Sequence, residues 1–155
     1  MSARPYGGEW LDDEVHGWRQ TLGASGLVVS LLTSDEEEHL ELQRERETCT
    51  ENGLEYISFP IVDRSVPKSD QDAVRLIETI DSRLREGKNV LVHCRQGLGR
   101  SGLIASGVLI KNGVHAAEAM RRWTRVRGAQ VPETLQQRIW LDDLPAHLAG
   151  TAVRT

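Results

Sequence analysis

Apolar positions along the 155-residue chain switch repeatedly between helical and strand spacing. Leu11, Val15, Trp18 and Leu22 recur at i, i+4, i+7 and i+11, which predicts an amphipathic helix stopping at Gly23 or Gly26. Leu27 to Leu32 is apolar except at Ser30 and predicts a buried strand. Ser34 reads as the N-cap of a charged helix with Asp35, Glu36 and Glu37 in its first turn, running on to Asn52 and Gly53. The run Glu36-Glu37-Glu38 reads as the solvated face of that helix. Leu54 to Phe59 predicts a second strand and Pro60 to Pro67 a loop. Ser69 with Asp72 resembles a capping box, opening a helix whose core face carries Ala73, Ile77, Ile80 and Leu84 and which Gly87 ends.

A third strand begins at Asn89, and its run Val90-Leu91-Val92 is expected to be buried on both faces near the centre of a sheet. The segment from Arg100 to Asn112 is apolar on nearly every side and predicts a buried helix. A further helix over His115 to Val126 buries Ala116, Ala119, Met120 and Trp123. Pro132 is placed in the first turn of a last helix carrying Leu135, Ile139, Trp140 and Leu144. Trp10, Trp18, Trp123 and Trp140 are all assigned to helix core positions. Alternating strands and helices predict an α/β fold, a central and mainly parallel sheet with helices on both faces. The length suits one domain over residues 1–155, with residues 1–9 and 149–155 as irregular termini.

A net charge of −4 argues against a nucleic-acid-binding or membrane-surface role driven by bulk charge. No stretch is long and apolar enough to span a bilayer, and Met1 to Trp10 lacks the apolar segment of a signal peptide. Cys49 and Cys94 are the only cysteines, so no disulfide framework is expected, and a cytoplasmic location follows as the default. His93 and Cys94 are adjacent and no second ligand pair stands at a zinc spacing, so neither metal nor cofactor is expected.

The chemistry concentrates in Asn89 to Ser101. A strand, a glycine-bearing loop and a helix N-terminus form an anion site, because backbone N–H groups and the positive end of the helix dipole converge there. No proline interrupts positions 95 to 101, and Gly97 and Gly99 are expected to supply positive φ values. At the base of this site stands Cys94, and a thiol beside a helix N-terminus and a cation ionises more readily than a free one. At its rim, Arg100 offers a planar fork matched to two phosphate oxygens. A buried structural thiol would not require two glycines and an arginine at this spacing. Sulfur transfer also uses a cysteine cradled by backbone amides and stands as a minor alternative, because the arginine that closes the loop suits phosphate better.

His93-Cys94-x-x-Gly97-x-x-Arg100-Ser101 resembles the signature loop of cysteine-dependent protein phosphatases, in the protein tyrosine phosphatase superfamily. The resemblance implies a two-step reaction with Cys94 as nucleophile. Arg100 and the amides of Arg95, Gln96, Gly97, Leu98 and Gly99 would hold phosphate, Ser101 would stabilise the sulfur as leaving group, and His93 would orient the loop. In the family a loop after the preceding strand supplies an aspartic acid as general acid, and Asp63 in Pro60-Ile61-x-Asp63-x-x-x-Pro67 falls at that place. Gln137, with Gln136 one residue away, is similar to a glutamine that borders the cleft in the family. Arg121, Arg122 and Arg125 read as a solvated helix face. Some relatives carry a second cysteine that traps the nucleophile; Cys49 reads instead as an ordinary helix-end thiol. The compact chain is similar to the dual-specificity branch, which includes kinase-associated phosphatases. A phosphorylated protein or peptide is the expected partner, and oligomeric state is left open. Two other readings stand beside this one: a phosphatase of phosphoinositides or another non-protein phosphomonoester, and a non-catalytic phosphoresidue-binding module.

Overall fold

The computed structural model describes residues 1–152. Three parallel strands, β1 (Leu27–Ser30), β2 (Glu55–Ser58) and β3 (Val90–His93), pair in the order β2-β1-β3. Ser30 is in register with Ser58 on one side and His93 on the other, so the strand ends align and the loops leaving them share one edge. The third strand is therefore an outer strand rather than a central one, and Val90 and Leu91 are only half-buried. Its free edge is covered at one point by an isolated bridge between Ser2 and His93.

Strand alternation sends Leu27 and Val29 into one core and Val28 into another. The first core lies under α4 (Asp70–Arg85), α5 (Arg100–Lys111), α6 (Ala116–Arg127) and α7 (Leu135–Ala152). The second lies under α1 (Leu11–Leu22) and α3 (Glu45–Glu51). As expected, α5 is buried on nearly every side. Ser69 caps α4, its Oγ accepting from the Asp72 N–H at 3.1 Å.

Several expectations are corrected. The charged segment is two helices, α2 (Ser34–His39) and α3, not one. The break comes where Glu41 adopts φ 56° and Leu42 turns into the core, burying its side chain. The N-cap of α2 is Thr33, not Ser34: its Oγ1 accepts from the Glu36 N–H while the Glu36 carboxylate accepts from the Thr33 N–H, completing a capping box. Trp10 is 60 % exposed. Pro132 precedes α7 and lies outside it, and Leu135 and Ile139 point outward. The inner face of α7 is instead Gln137, Trp140, Leu141 and Leu144, at i, i+3, i+4 and i+7. Residues 149–152 continue α7 rather than forming an irregular end, Gly8–Trp10 makes a 3₁₀ turn, and residues 153–155 lie outside the described chain.

Candidate active site

The loop between β3 and α5 is shaped by two glycines for two reasons. Gly97 sits at φ 77°, and a Cβ there would lie 2.5 Å from the Ala3 nitrogen. The chain's first residues pass directly behind it, with the Ser2 N–H donating to Val92 O at 2.8 Å and the Arg4 N–H to Arg95 O at 3.2 Å. Gly99 does not supply the expected positive φ; it lies at −77°. What it provides is closeness, since a Cβ there would meet Glu133 Oε2 at 2.6 Å.

Cys94 Sγ is buried at the base of the loop, 3.3 Å from Ser101 Oγ, and accepts from the Gly97 N–H at 3.3 Å. A cleft of about 230 Å³ opens beside it. Asp63 and Arg64 wall it from the loop after β2, Arg95 and Gln96 from the signature loop, and Glu133 from the segment before α7. Leu98 is half-buried and does not line this cleft.

Arg100 is 1 % exposed, and its placement is closely determined. Nη1 donates to Glu36 Oε2 at 2.7 Å and to Ile61 O at 2.9 Å, and Nη2 donates to Glu36 Oε1 at 2.8 Å. Nη2 also lies 3.2 Å from Oδ1 of Asp63, whose side chain is 54 % exposed at the mouth of the cleft. Burial alone would raise the Glu36 carboxyl, but hydrogen bonds and charge from Arg100, with those from Thr33, outweigh it and hold the group below its usual range. The first glutamate of the run Glu36-Glu37-Glu38 is thus a clamp on the arginine and not part of a solvated face.

His93 is anchored from the opposite layer. Its Nε2 meets Glu45 Oε1 at 2.5 Å, both side chains being buried, and its Nδ1 lies 3.3 Å from Cys94 O. The Trp18 ring flanks the imidazole with centroids 5.8 Å apart. Glu45, Thr48 and Cys49 form the buried face of α3. Burial, with the neighbouring Glu45 charge, pushes the Cys49 thiol up to about 12. Cys49 belongs to the core opposite the one that contains Cys94.

Gln137 lies behind the cleft wall, fully buried and outside the residues that line the cleft. Its Oε1 accepts from the N–H groups of Glu133 and Thr134, and its Nε2 donates to Ser65 O at 3.0 Å. It ties the segment before α7 to the loop that bears Asp63, while Glu133 supplies the side chain at the surface; Gln136 is exposed. Glu36, Glu45 and Glu133 are the site residues that sequence reasoning missed. Only Glu36 carried a local signal, the Thr-x-x-Glu capping box beginning at Thr33. On α6, Arg121 and Arg122 pair with Glu118, as a solvated helix face should.

The family model described as a polymorphic toxin system DSP-PTPase phosphatase matches residues 20–114. The protein of Invertebrate iridescent virus 6 named "Putative tyrosine phosphatase 197R" is 40% identical over 62 residues, 38% of this chain and 23% of the viral protein, so the chain spans under a quarter of that relative's length. Among solved structures, a kinase associated phosphatase with its catalytic-site cysteine changed to serine superposes with TM-score 0.87. It is 19% identical, over 95% of this chain and 85% of that one, a likeness of fold. The active form of Tk-PTP is 30% identical with TM-score 0.71, over 88% of this chain and 84% of that one. A signature loop in strand–loop–helix context, a parallel sheet that superposes on these phosphatases and a family model covering most of the chain agree: the chain belongs to the DSP-PTPase phosphatases, the dual-specificity branch of the cysteine-dependent protein tyrosine phosphatases.

Proposed function

We propose that this chain hydrolyses phosphomonoesters on proteins, phosphotyrosine and also phosphoserine or phosphothreonine, through a phosphocysteine intermediate. The observation that carries the reading is the meeting of Cys94 Sγ with the Gly97 N–H and Ser101 Oγ behind the cleft that Cys94, Asp63 and Arg100 line. A binding module needs neither a sulfur aimed into the site nor a carboxyl at its mouth.

In the first step the Cys94 sulfur attacks phosphorus as the bond from phosphorus to the ester oxygen breaks, and Asp63 gives that oxygen a proton. Arg100 has five N–H donors, and Glu36 and Ile61 O account for three. The remaining pair, on Nε and on the Nη2 that faces Asp63, suits two equatorial phosphate oxygens. In the second step water attacks phosphorus, the P–S bond breaks, and Asp63 takes the water proton while Ser101 donates to the departing sulfur. The sulfur must stay reduced throughout, which fits a reducing, cytoplasmic compartment. Among the described residues no helix is long and apolar enough to cross a membrane.

The test is phosphate release from phosphotyrosine and phosphothreonine peptides under reducing conditions. Wild type is expected to turn over, Cys94→Ser to bind peptide without turnover, and Asp63→Ala to lose about 10²–10⁴-fold on an alkyl phosphate. Release by Cys94→Ser at the wild-type rate would overturn the nucleophile, and an unimpaired Asp63→Ala would overturn the acid.

A further inference from the structure

A second concavity lies one backbone segment away from the cleft. It is an open groove of about 630 Å³ between one face of α6, from Ala117 to Arg125, the loop that follows it and the start of α7. Met120 and Val131 give it an apolar floor, and Arg121, Arg125 and Arg138 stand along its sides. No carboxylate lines it, on a chain whose 23 acids outnumber its 19 basic side chains. Arg121 is held by Glu118, but Arg125 has no ion pair among the described residues, and Arg138 faces only the neutral amide of Gln130. Two guanidinium groups from different helices thus confront one shallow apolar channel without a counter-charge.

The groove is fixed to the catalytic centre. Arg127, at the end of α6, donates through Nη2 to Gln96 O of the signature loop at 3.4 Å. Val131 lines the groove and Glu133 lines the cleft, and two residues of chain span no more than about 7 Å. An extended peptide advances about 3.3 Å per residue, so side chains about two to four positions from a residue in the cleft fall over the groove.

We infer that this groove receives an acidic segment of the same phosphoprotein whose phosphorylated residue enters the cleft, Arg125 and Arg138 reading its carboxylates. The inference rests on the phosphatase reading above and adds a sequence preference to it. A peptide with a few local acids matches a patch of this size, whereas a long polyanion would also meet the net negative charge of the remaining surface.

The experiment compares phosphotyrosine peptides of equal length carrying Glu or Gln two to four positions from the phosphoresidue, on either side. Wild type, Arg125→Glu and Arg138→Gln are assayed on each peptide and on a small aryl phosphate. Wild type is expected to prefer one Glu peptide through a lower KM at similar kcat, the preference fading as salt rises. Arg125→Glu is expected to raise KM for that peptide about five-fold, with kinetics on the aryl phosphate unchanged. Equal kcat/KM for Glu and Gln peptides in wild type would overturn the inference, as would a loss in Arg125→Glu that extends equally to the aryl phosphate. Absence of aryl phosphate turnover would instead overturn the catalytic reading. Fluorescence anisotropy of labelled peptides then still decides the groove: the Glu peptide must bind wild type more tightly than Arg125→Glu. Tighter binding of an RNA oligonucleotide than of the Glu peptide would also overturn it.

Discussion

The signature loop and the acidic segment that follows β1 build one site by opposite means. From His93 to Ser101 the geometry is local: a strand end, a glycine at φ 77°, a sulfur hydrogen-bonded to an amide three residues ahead, and a helix start. Residues 34 to 51 contribute through contacts 48 and 64 positions away in sequence, Glu45 to His93 and Glu36 to Arg100. Both regions hold ionisable side chains in nearly dry surroundings, yet only the first announces itself. A cysteine and an arginine spaced around glycines have few alternative explanations. A glutamate in a run of glutamates has an ordinary one, a solvated helix face, and three neighbours of one type can have three fates. Glu36 is bound to Arg100, burial and the Glu45 charge raise the Glu37 carboxyl, and Glu38 is exposed.

The comparison breaks most visibly at Glu45. Removing one partner of a buried pair leaves the other uncompensated, which costs about 3–5 kcal/mol. Glu45→Ala is therefore expected to lose that much in denaturant unfolding, a large part of a small domain's stability, while Glu45→Gln, which keeps an acceptor for His93, loses less. A loss below about 1 kcal/mol from Glu45→Ala would place this residue with its solvated neighbours. Arg100→Lys comes next. A point charge cannot hold Glu36 with two parallel bonds and still present a planar pair to phosphate, so kcat is expected to fall about 10²–10³-fold, with a loss of about 1–3 kcal/mol in stability from the broken bidentate contact. A rate within a few-fold of wild type would show that charge alone suffices.

The elements show the same division between legible and hidden. The helices α1 and α4 follow from apolar periodicity with a stop glycine or a cap, except that Leu84, expected on the core face of α4, is exposed, and the alternation of strands and helices gives the parallel sheet. The break between α2 and α3 does not, because Leu40 to Arg44 has no proline or glycine to interrupt a strongly helical composition. Packing decides it: Leu42 is drawn into the second core, and the Gly8 N–H bonds to Glu41 O at 3.0 Å from a distant part of the chain. The phase of α7 was hidden by a polar residue at a core position. Gln137 is buried because its amide satisfies Glu133, Thr134 and Ser65, and reading it as surface rotates the predicted face toward Leu135 and Ile139. The edge position of β3 was hidden because the N-terminal segment and loop cover an outer strand as a neighbouring strand would.

Within the acidic run the expected effects are smaller and finer. Glu36→Gln exchanges a charge-assisted bidentate contact for neutral bonds, a loss of about 1–3 kcal/mol in stability at neutral pH, with a reduced kcat as Arg100 loosens. Its pH dependence has a definite sign. The folded Glu36 carboxyl lies below its ordinary value of 4.5, so its contribution is complete above that value and disappears as pH falls through the lower folded one. The gap in stability between wild type and Glu36→Gln should therefore be constant near neutrality and close under acid. A gap independent of pH down to full acid unfolding would separate the clamp from the charge.

Glu38→Gln is the smallest effect and the control for the whole comparison. Glu38 is exposed, and no ion pair or side-chain hydrogen bond joins it to another described residue. It shares composition, helix and neighbourhood with Glu36, so propensity and bulk charge change almost identically in the two variants. Its substitution is expected to shift stability by less than about 0.5 kcal/mol and to leave kcat/KM on an aryl phosphate unchanged. If Glu38→Gln instead matched Glu36→Gln in both readouts, the loss would come from removing negative charge from α2 in general. The bidentate contact to Arg100 would then have no energetic consequence of its own. Distinct outcomes at two positions in one turn would show that the bidentate contact, and not the acidity of the run, supports Arg100.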